Sequence, residues 1–232
     1  MKPETTPLGE SPDVPWPQQA SAWLRNRGEW MLGLLLLAGL FTLCLEVWQK
    51  QFLRFDTDAL LWLHGWANPI LDALMLWLTR LGNPYVVVPV VLGSLGVFLW
   101  RRWWADAVML LLSCVGVVVL NQGMKLLFAR ARPALWPPLI QETTYGFPSG
   151  HAMGSLVLYG YLSVVLAYHF PTQARWIHAS AVLLVVLIGL SRLYLGVHYP
   201  TDIAAGYAVG GLWLMVCLQA LKAQRLKRSV VG

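Results

Sequence analysis

Charge is scarce in this sequence. Asp, Glu, Lys and Arg make up 12% of its 232 residues, roughly half the share usual in a soluble domain. That scarcity excludes a disordered chain, a nucleic-acid-binding arm and almost every water-soluble globular fold. Cysteine is scarce too. Cys44, Cys114 and Cys217 are odd in number, lack metal-ligand spacing and each lie inside an apolar run, so they read as packing residues and say nothing of redox compartment. No acidic or Cys/His cluster suggests a metal site, and no internal repeat is found. What remains is 57% hydrophobic, in a length that suits one domain. The solvent for most of such a chain is lipid, and the predicted class is an all-α integral membrane protein.

Six stretches are long and apolar enough to cross a hydrocarbon core, which takes about 20 helical residues. They lie near Trp30–Trp48, Pro84–Trp100, Trp103–Met124, Ala152–Phe170, Trp176–Leu193 and Ile203–Leu221. Tryptophans at several of their ends suit the headgroup layer. The proline-rich residues 1–29 read as a loose or surface-lying cytoplasmic arm, 30–222 as the six-span domain and 223–232 as a basic cytoplasmic tail. The first apolar run begins late and has no convincing cleavage site, so it reads as an uncleaved span. With the N-terminus inside, ten of the 17 Lys and Arg fall on the cytoplasmic side and seven outside, a modest positive-inside bias. The terminal cations Lys222, Arg225, Lys227 and Arg228 suit anionic headgroups. Phe55–Leu81 is too short and too polar for a plain span, so one or two interfacial or re-entrant helices are expected between spans 1 and 2. Were it to cross, the sides assigned downstream would invert, but the loops before span 4 and after span 5 would still share a face.

Three polar constellations fall on that shared face. In the first, Lys125 and Arg132 stand seven residues apart, nearly two helical turns, so on a helix they point the same way; Arg130 projects elsewhere and reads as an interfacial anchor. Pro133 ends the helix at about Arg132. Taken alone, two snorkelling side chains at a helix end explain this pattern slightly better than a site does. The second is Gly146-Phe147-Pro148-Ser149-Gly150-His151. Pro148 and Ser149 are helix-start residues, the new helix offers free N–H groups to an anion, and His151 lies in its first turn. A capped helix beside an interfacial histidine would read the same. The third is Ser191-Arg192-x5-His198-x3-Asp202. Pro200 begins a helix, and Asp202 can hold one ring nitrogen of His198 so that the other is left as a base or nucleophile. A capping aspartate beside an interfacial histidine is the plain alternative here. Together, three cations, a helix N-terminus and two histidines on one membrane face point to phosphoryl transfer through histidine, with cations where a metal often stands.

These three segments, Lys125-x6-Arg132-Pro133, Pro148-Ser149-Gly150-His151 and Ser191-Arg192-x5-His198-x3-Asp202, resemble the signature of the type 2 phosphatidic acid phosphatase family. Bacterial phosphatidylglycerophosphate phosphatase B and undecaprenyl diphosphate phosphatases are members of it. The resemblance implies that His198 attacks phosphorus and forms a phosphohistidine, that Asp202 orients it, and that His151 protonates the leaving oxygen and then activates water. It implies phosphoryl binding by Lys125, Arg132 and Arg192 with help from Ser149 and the Gly150 N–H, and it calls for no cofactor or metal. The expected substrate is a membrane lipid bearing a phosphomonoester or diphosphate, such as phosphatidylglycerophosphate, phosphatidic acid or undecaprenyl diphosphate. A lipid A phosphatase or a lipid-to-lipid phosphotransferase is the alternative within this chemistry. From other classes, a transporter is disfavoured because the polar groups gather at span ends, not at mid-membrane. A non-catalytic lipid-binding protein is disfavoured because no signature residue is lost. The expected setting is a bacterial inner membrane, with both termini cytoplasmic, the site on the periplasmic face and no nucleic-acid partner.

Overall fold

The computed structural model describes residues 16–49 and 54–231, and side chains over 30–49 and 54–225. Among these residues every regular element is helical: α1 (Trp16–Trp48), α2 (Arg54–His64), α3 (Pro69–Arg80), α4 (Pro84–Trp100), α5 (Trp104–Phe128), α6 (Gly150–His169), α7 (Ala174–Tyr194) and α8 (Pro200–Val231), with one 3-10 turn at Pro171–Gln173. Two compact units divide between Leu35 and Leu36, and the second contains all the functional geometry described below.

Local chemistry sets most of the helix ends. Pro69, Pro84 and Pro200 each open a helix, where the missing N–H costs nothing. Asn68 caps α3 by accepting from the N–H groups of Ile70 and Leu71, and Ser149 caps α6 by accepting from Ala152. Arg101 and Arg102 form the tight turn between α4 and α5 that the sequence requires, with Arg102 at φ 59°. By length and hydropathy five helices can cross a membrane: Trp30–Trp48 of α1, α5, α6, α7 with its preceding 3-10 turn, and α8 as far as Arg225. At 17 residues α4 is short for a crossing of its own. It reaches the necessary length only when counted with α3, from which it bends by 43°. The segment between the first two apolar runs is thus two separate short helices, α2 and α3, the second leading directly into α4.

Helix α8 runs to Val231, through most of the segment assigned to the tail, and two further boundaries differ from the sequence reading. First, α1 begins at Trp16, inside the segment assigned to the arm, while residues 1–15 of that arm lie outside the described residues. Second, α5 ends at Phe128, with Ala129 in the left-handed region at φ 44°, so Lys125 and Arg132 do not lie on one helix. From residue 129 to Ser149 the chain forms a long irregular connection.

Helix α6 is central, packing against α5, α7 and α8, while α3 packs on α7 and α4 on α5. Buried Phe98, Leu110, Leu158, Tyr161 and Val165 form the main apolar cluster between α4, α5 and α6, joined by Cys217 and Leu221 of α8. Two glycines on α8 decide how closely it meets α6. A Cβ at Gly206 would stand 2.8 Å from the Ser149 carbonyl, and one at Gly210 would stand 3.1 Å from that of Met153. Small residues one turn apart let the backbones touch, as in other membrane helix pairs. That contact brings the starts of α6 and α8 together, and the Ser149 N–H donates to the Asp202 carbonyl at 3.0 Å.

Candidate active site

All eight predicted site residues gather at one end of the bundle. Lys125 stands in the last turn of α5, Arg132 in the connection after it, and Ser149, Gly150 and His151 at the start of α6. Arg192 closes α7, His198 lies in the short link to α8, and Asp202 occupies the first turn of α8. Convergence of the first constellation has a different cause from the one expected. Lys125 and Arg132 meet because both donate to Thr144: Lys125 Nζ reaches its hydroxyl at 2.7 Å, and Arg132 Nε reaches its carbonyl at 2.7 Å. A loop residue twelve positions beyond Arg132 does what helical periodicity was expected to do.

The histidine–aspartate pair has the anticipated form. His198 is 1% exposed and Asp202 is fully buried. His198 Nδ1 lies 3.4 Å from Asp202 Oδ2, which also accepts the Tyr199 N–H at 2.9 Å. On the other side of the ring, Arg132 Nη1 stands 3.1 Å from Nε2 and donates on to the Val197 carbonyl at 2.8 Å. An arginine carries only donors, so Nε2 is the acceptor and the ring proton resides on Nδ1, facing Asp202. Burial, reinforced by the Arg192 and Arg132 charges and only partly offset by Asp202, pushes the His198 pKa down to about 4. The imidazole is therefore neutral at physiological pH, with its lone pair on the outward nitrogen.

Arg192 is fully buried, donating to the Thr79 hydroxyl at 2.7 Å and to the Glu142 carboxylate. Its Nε is the one buried side-chain polar atom without a partner among the described residues. A guanidinium N–H left unmatched when buried is costly unless a ligand completes it. Glu142 also stands 3.6 Å from Arg132. Burial opposes its ionisation, but Arg192 and Arg132 outweigh that and hold its carboxyl below the usual carboxylate range. One carboxylate thus bridges the two arginines expected to clamp a phosphoryl group.

His151 faces the turn between α3 and α4. Its Nε2 lies 2.5 Å from the Asn83 side-chain oxygen, and a Cβ on Gly82 would come within 2.7 Å of its ring. The connection 129–149 is pinned over this end as well. Trp136 stacks on His64 at 4.0 Å and fills the space beside Gly196, whose φ of +67° and proximity to the indole both favour glycine.

Five contributors were not identified from the sequence: Asp56, Thr79, Asn83, Glu142 and Thr144. Arg130 was assigned wrongly. It is not an anchor directed away from the site, because its side chain is 8% exposed and lies between Asp56 and Asp202. Placing it at +5 from Lys125 on a continuous helix turned it away, and the helix stops at Phe128. Among the described residues no group of three or more His, Cys, Asp or Glu side chains is gathered as a metal site would require.

Fold and site together define a class: an all-helical membrane protein in which buried cations, a helix N-terminus and a histidine–aspartate pair meet at one end. The chain belongs to the PAP2 superfamily, which matches residues 106–226 and so includes all eight predicted site residues. Phosphatidylglycerophosphatase B of Bacillus subtilis is 34% identical over 148 residues, covering 62% of this chain and 71% of that protein. The undecaprenyl-diphosphatase of Sulfolobus acidocaldarius is 32% identical over 149 residues, covering 62% and 67%. The crystal structure of a transmembrane PAP2-type phosphatidylglycerolphosphate phosphatase from Bacillus subtilis superposes with a TM-score of 0.72 at 27% identity, covering 84% of this chain and 96% of that one. The protein is a membrane phosphatase of this family, a phosphoric ester hydrolase.

Proposed function

We propose that the protein removes phosphate from the phosphomonoester or diphosphate of a membrane lipid, through a phosphohistidine on His198 and without metal. The carrying observation is the His198 ring, neutral and buried, with Nδ1 held at Asp202 and Nε2 turned toward Arg132. A phosphoryl group entering there takes the places now filled by Glu142 and by the Arg132 contact to Nε2. Arg192 Nε, Arg132 and Lys125 then receive its oxygens, with the N-terminus of α6 beside them.

In the first step the Nε2 lone pair forms a bond to phosphorus, and the bond from phosphorus to the lipid oxygen breaks. The departing electron pair takes a proton from His151. Asp202, which accepts the Nδ1–H, stabilises the imidazolium that results. In the second step water attacks phosphorus, gives its proton to His151, and the N–P bond breaks to return neutral His198. The sum is lipid phosphate plus water giving lipid alcohol plus phosphate, or one phosphate fewer on a diphosphate.

Candidate substrates are phosphatidylglycerophosphate, phosphatidic acid and undecaprenyl diphosphate, because a site at the ends of apolar helices meets a phosphate at headgroup depth. The proposed setting is a bacterial inner membrane crossed six times by residues 30–222, with 1–29 and 223–232 cytoplasmic and the site on the outer face. The test is phosphate release from these lipids by purified protein in detergent with EDTA, using His198→Ala as control. Release lost in the variant supports the reading. Release retained in the variant sinks the nucleophile, and a strict need for added divalent metal sinks the metal-free step. A cysteine introduced at residue 132 should react with an impermeant reagent from outside intact cells; reaction only after lysis would reverse the orientation.

A further inference from the structure

Asp202 has a second oxygen that the steps above do not use. Oδ2 serves His198 and the Tyr199 N–H, while Oδ1 accepts from Arg130 Nη1 at 2.5 Å. The same Nη1 reaches the Thr201 hydroxyl at 2.7 Å, and Nη2 donates to Asp56 Oδ2 at 2.9 Å. Asp56, on α2 and 1% exposed, closes the circuit by accepting from the Thr201 N–H at 3.0 Å and its hydroxyl at 2.6 Å. The Arg130 guanidinium lies over the Tyr199 ring at 4.5 Å. It therefore holds the Asp202 oxygen that His198 does not use, with both Nη atoms donating to protein.

We infer that Arg130 and Asp56 form a positioning pair for the nucleophile, acting through Asp202. This rests on the reading of His198 as nucleophile and Asp202 as its orienting acid. A lone aspartate can rotate and present either oxygen, in either plane, to the histidine. A guanidinium bound to Oδ1 removes that freedom and leaves Oδ2 aimed at Nδ1. Taken alone, the arginine would also cancel the charge that Asp202 offers to the phosphoimidazolium. Asp56 prevents this, since two carboxylates and one guanidinium leave one net negative charge behind the ring. The pair thus gives orientation without loss of the electrostatic contribution. Burial works against the Arg130 charge, but Asp202 and Asp56 outweigh it and hold the guanidinium pKa above its usual value. Asp56 precedes the family-matched segment 106–226, so the α2 region supplies part of the catalytic geometry from outside that segment.

The test is steady-state kinetics on the lipid that the wild type turns over, with Arg130→Met, Arg130→Lys, Asp56→Asn, Asp202→Asn and the Arg130→Met/Asp202→Asn double variant. Arg130→Met should lower kcat by about 10–100-fold, the size of a lost charge-assisted bond, with KM within about twofold. Arg130→Lys should recover part of that loss, and Asp56→Asn should lower kcat while the protein stays monodisperse in detergent. In the Asp202→Asn background, Arg130→Met should cost less than about threefold more, because its effect passes through the lost carboxylate. A raised KM with unchanged kcat would make Arg130 a substrate ligand and overturn the inference. Fully multiplicative losses in the double variant would overturn it as well, by showing independent action. If Arg130→Met fails to fold, Arg130→Lys and Asp56→Asn decide the matter, and wild-type kcat in both would refute it. These failures leave the nucleophile reading intact, whereas turnover by His198→Ala, or no turnover by the wild type, overturns both.

Discussion

At one end of α5, Asp106 is buried and saturated. Its Oδ1 meets Arg225 at 2.6 Å, its Oδ2 meets His169 at 3.3 Å, and its carbonyl accepts the Tyr161 hydroxyl at 2.9 Å. The His169 ring lies flat on Trp103, and Arg225 covers Tyr168. At the other end, about 28 Å of helix away between residues 106 and 125, Lys125, Arg130, Arg132 and Arg192 face Asp56, Glu142 and Asp202. There Arg192 Nε has no partner among the described residues, and one carboxylate is shared between two arginines. Both ends tie distant helices together with buried charge. The first is complete without a ligand and reads as a clasp joining α5, α6 and α8. The second is short of acceptors, and a phosphoryl group would supply them. Saturation, more than the presence of charge, distinguishes the end proposed to be functional from the structural one.

Substitutions can break this contrast. The largest effect is expected for His198→Ala, which should reduce turnover at least about 10⁴-fold, as loss of a covalent nucleophile does in other enzymes. Near-normal phosphate release would remove the chemistry from that end. Arg192→Gln should lower kcat/KM by roughly 100-fold through loss of a charge-assisted contact; a change within threefold would mean that the unmatched Nε is not waiting for substrate. Inorganic phosphate should raise the melting temperature of the wild type in detergent and leave that of Arg192→Gln nearly unchanged, since only a ligand bound to the fold stabilises it. Equal shifts in both proteins would place the anion elsewhere.

Acid should test the end that holds His198. The folded-state pKa of His198 lies near 4, below the ordinary histidine value of 6.5. Between those values the unfolded chain binds the extra proton, so stability is full above about pH 6.5 and falls as pH drops toward 4. Melting curves across that window should slope less in His198→Gln, and identical slopes would show that this ring does not titrate as described. The smallest effect on catalysis is expected for Asp106→Asn. It should cost about 1–3 kcal/mol of stability by leaving cations poorly matched, with kcat within about twofold. A large fall in kcat with unchanged melting would make the clasp part of the catalytic apparatus.

The helices were readable because lipid imposes a simple rule: an unbroken apolar run must be a helix. Pro84–Trp100 was located to the residue, and the starts of α6 and α8 followed from Ser149 and Pro200. The chemistry was readable because the residues that carry it cluster in three short segments. Arg130 marks where periodicity misled, since no residue before Ala129 announces that α5 stops and the chain turns left-handed there.

By itself the sequence determined that this chain lives in a membrane, and that Lys125, Arg132, Ser149, Gly150, His151, Arg192, His198 and Asp202 belong to one end of it. Hydropathy and local motif chemistry act over a few residues or one helix, and both are written in order along the chain. Only the tertiary structure decided what stands behind and between those groups. Asp56 reaches Thr201 across 145 positions, and Arg192 reaches Thr79 across 113. Such contacts depend on how helices lie against one another, which no local pattern encodes.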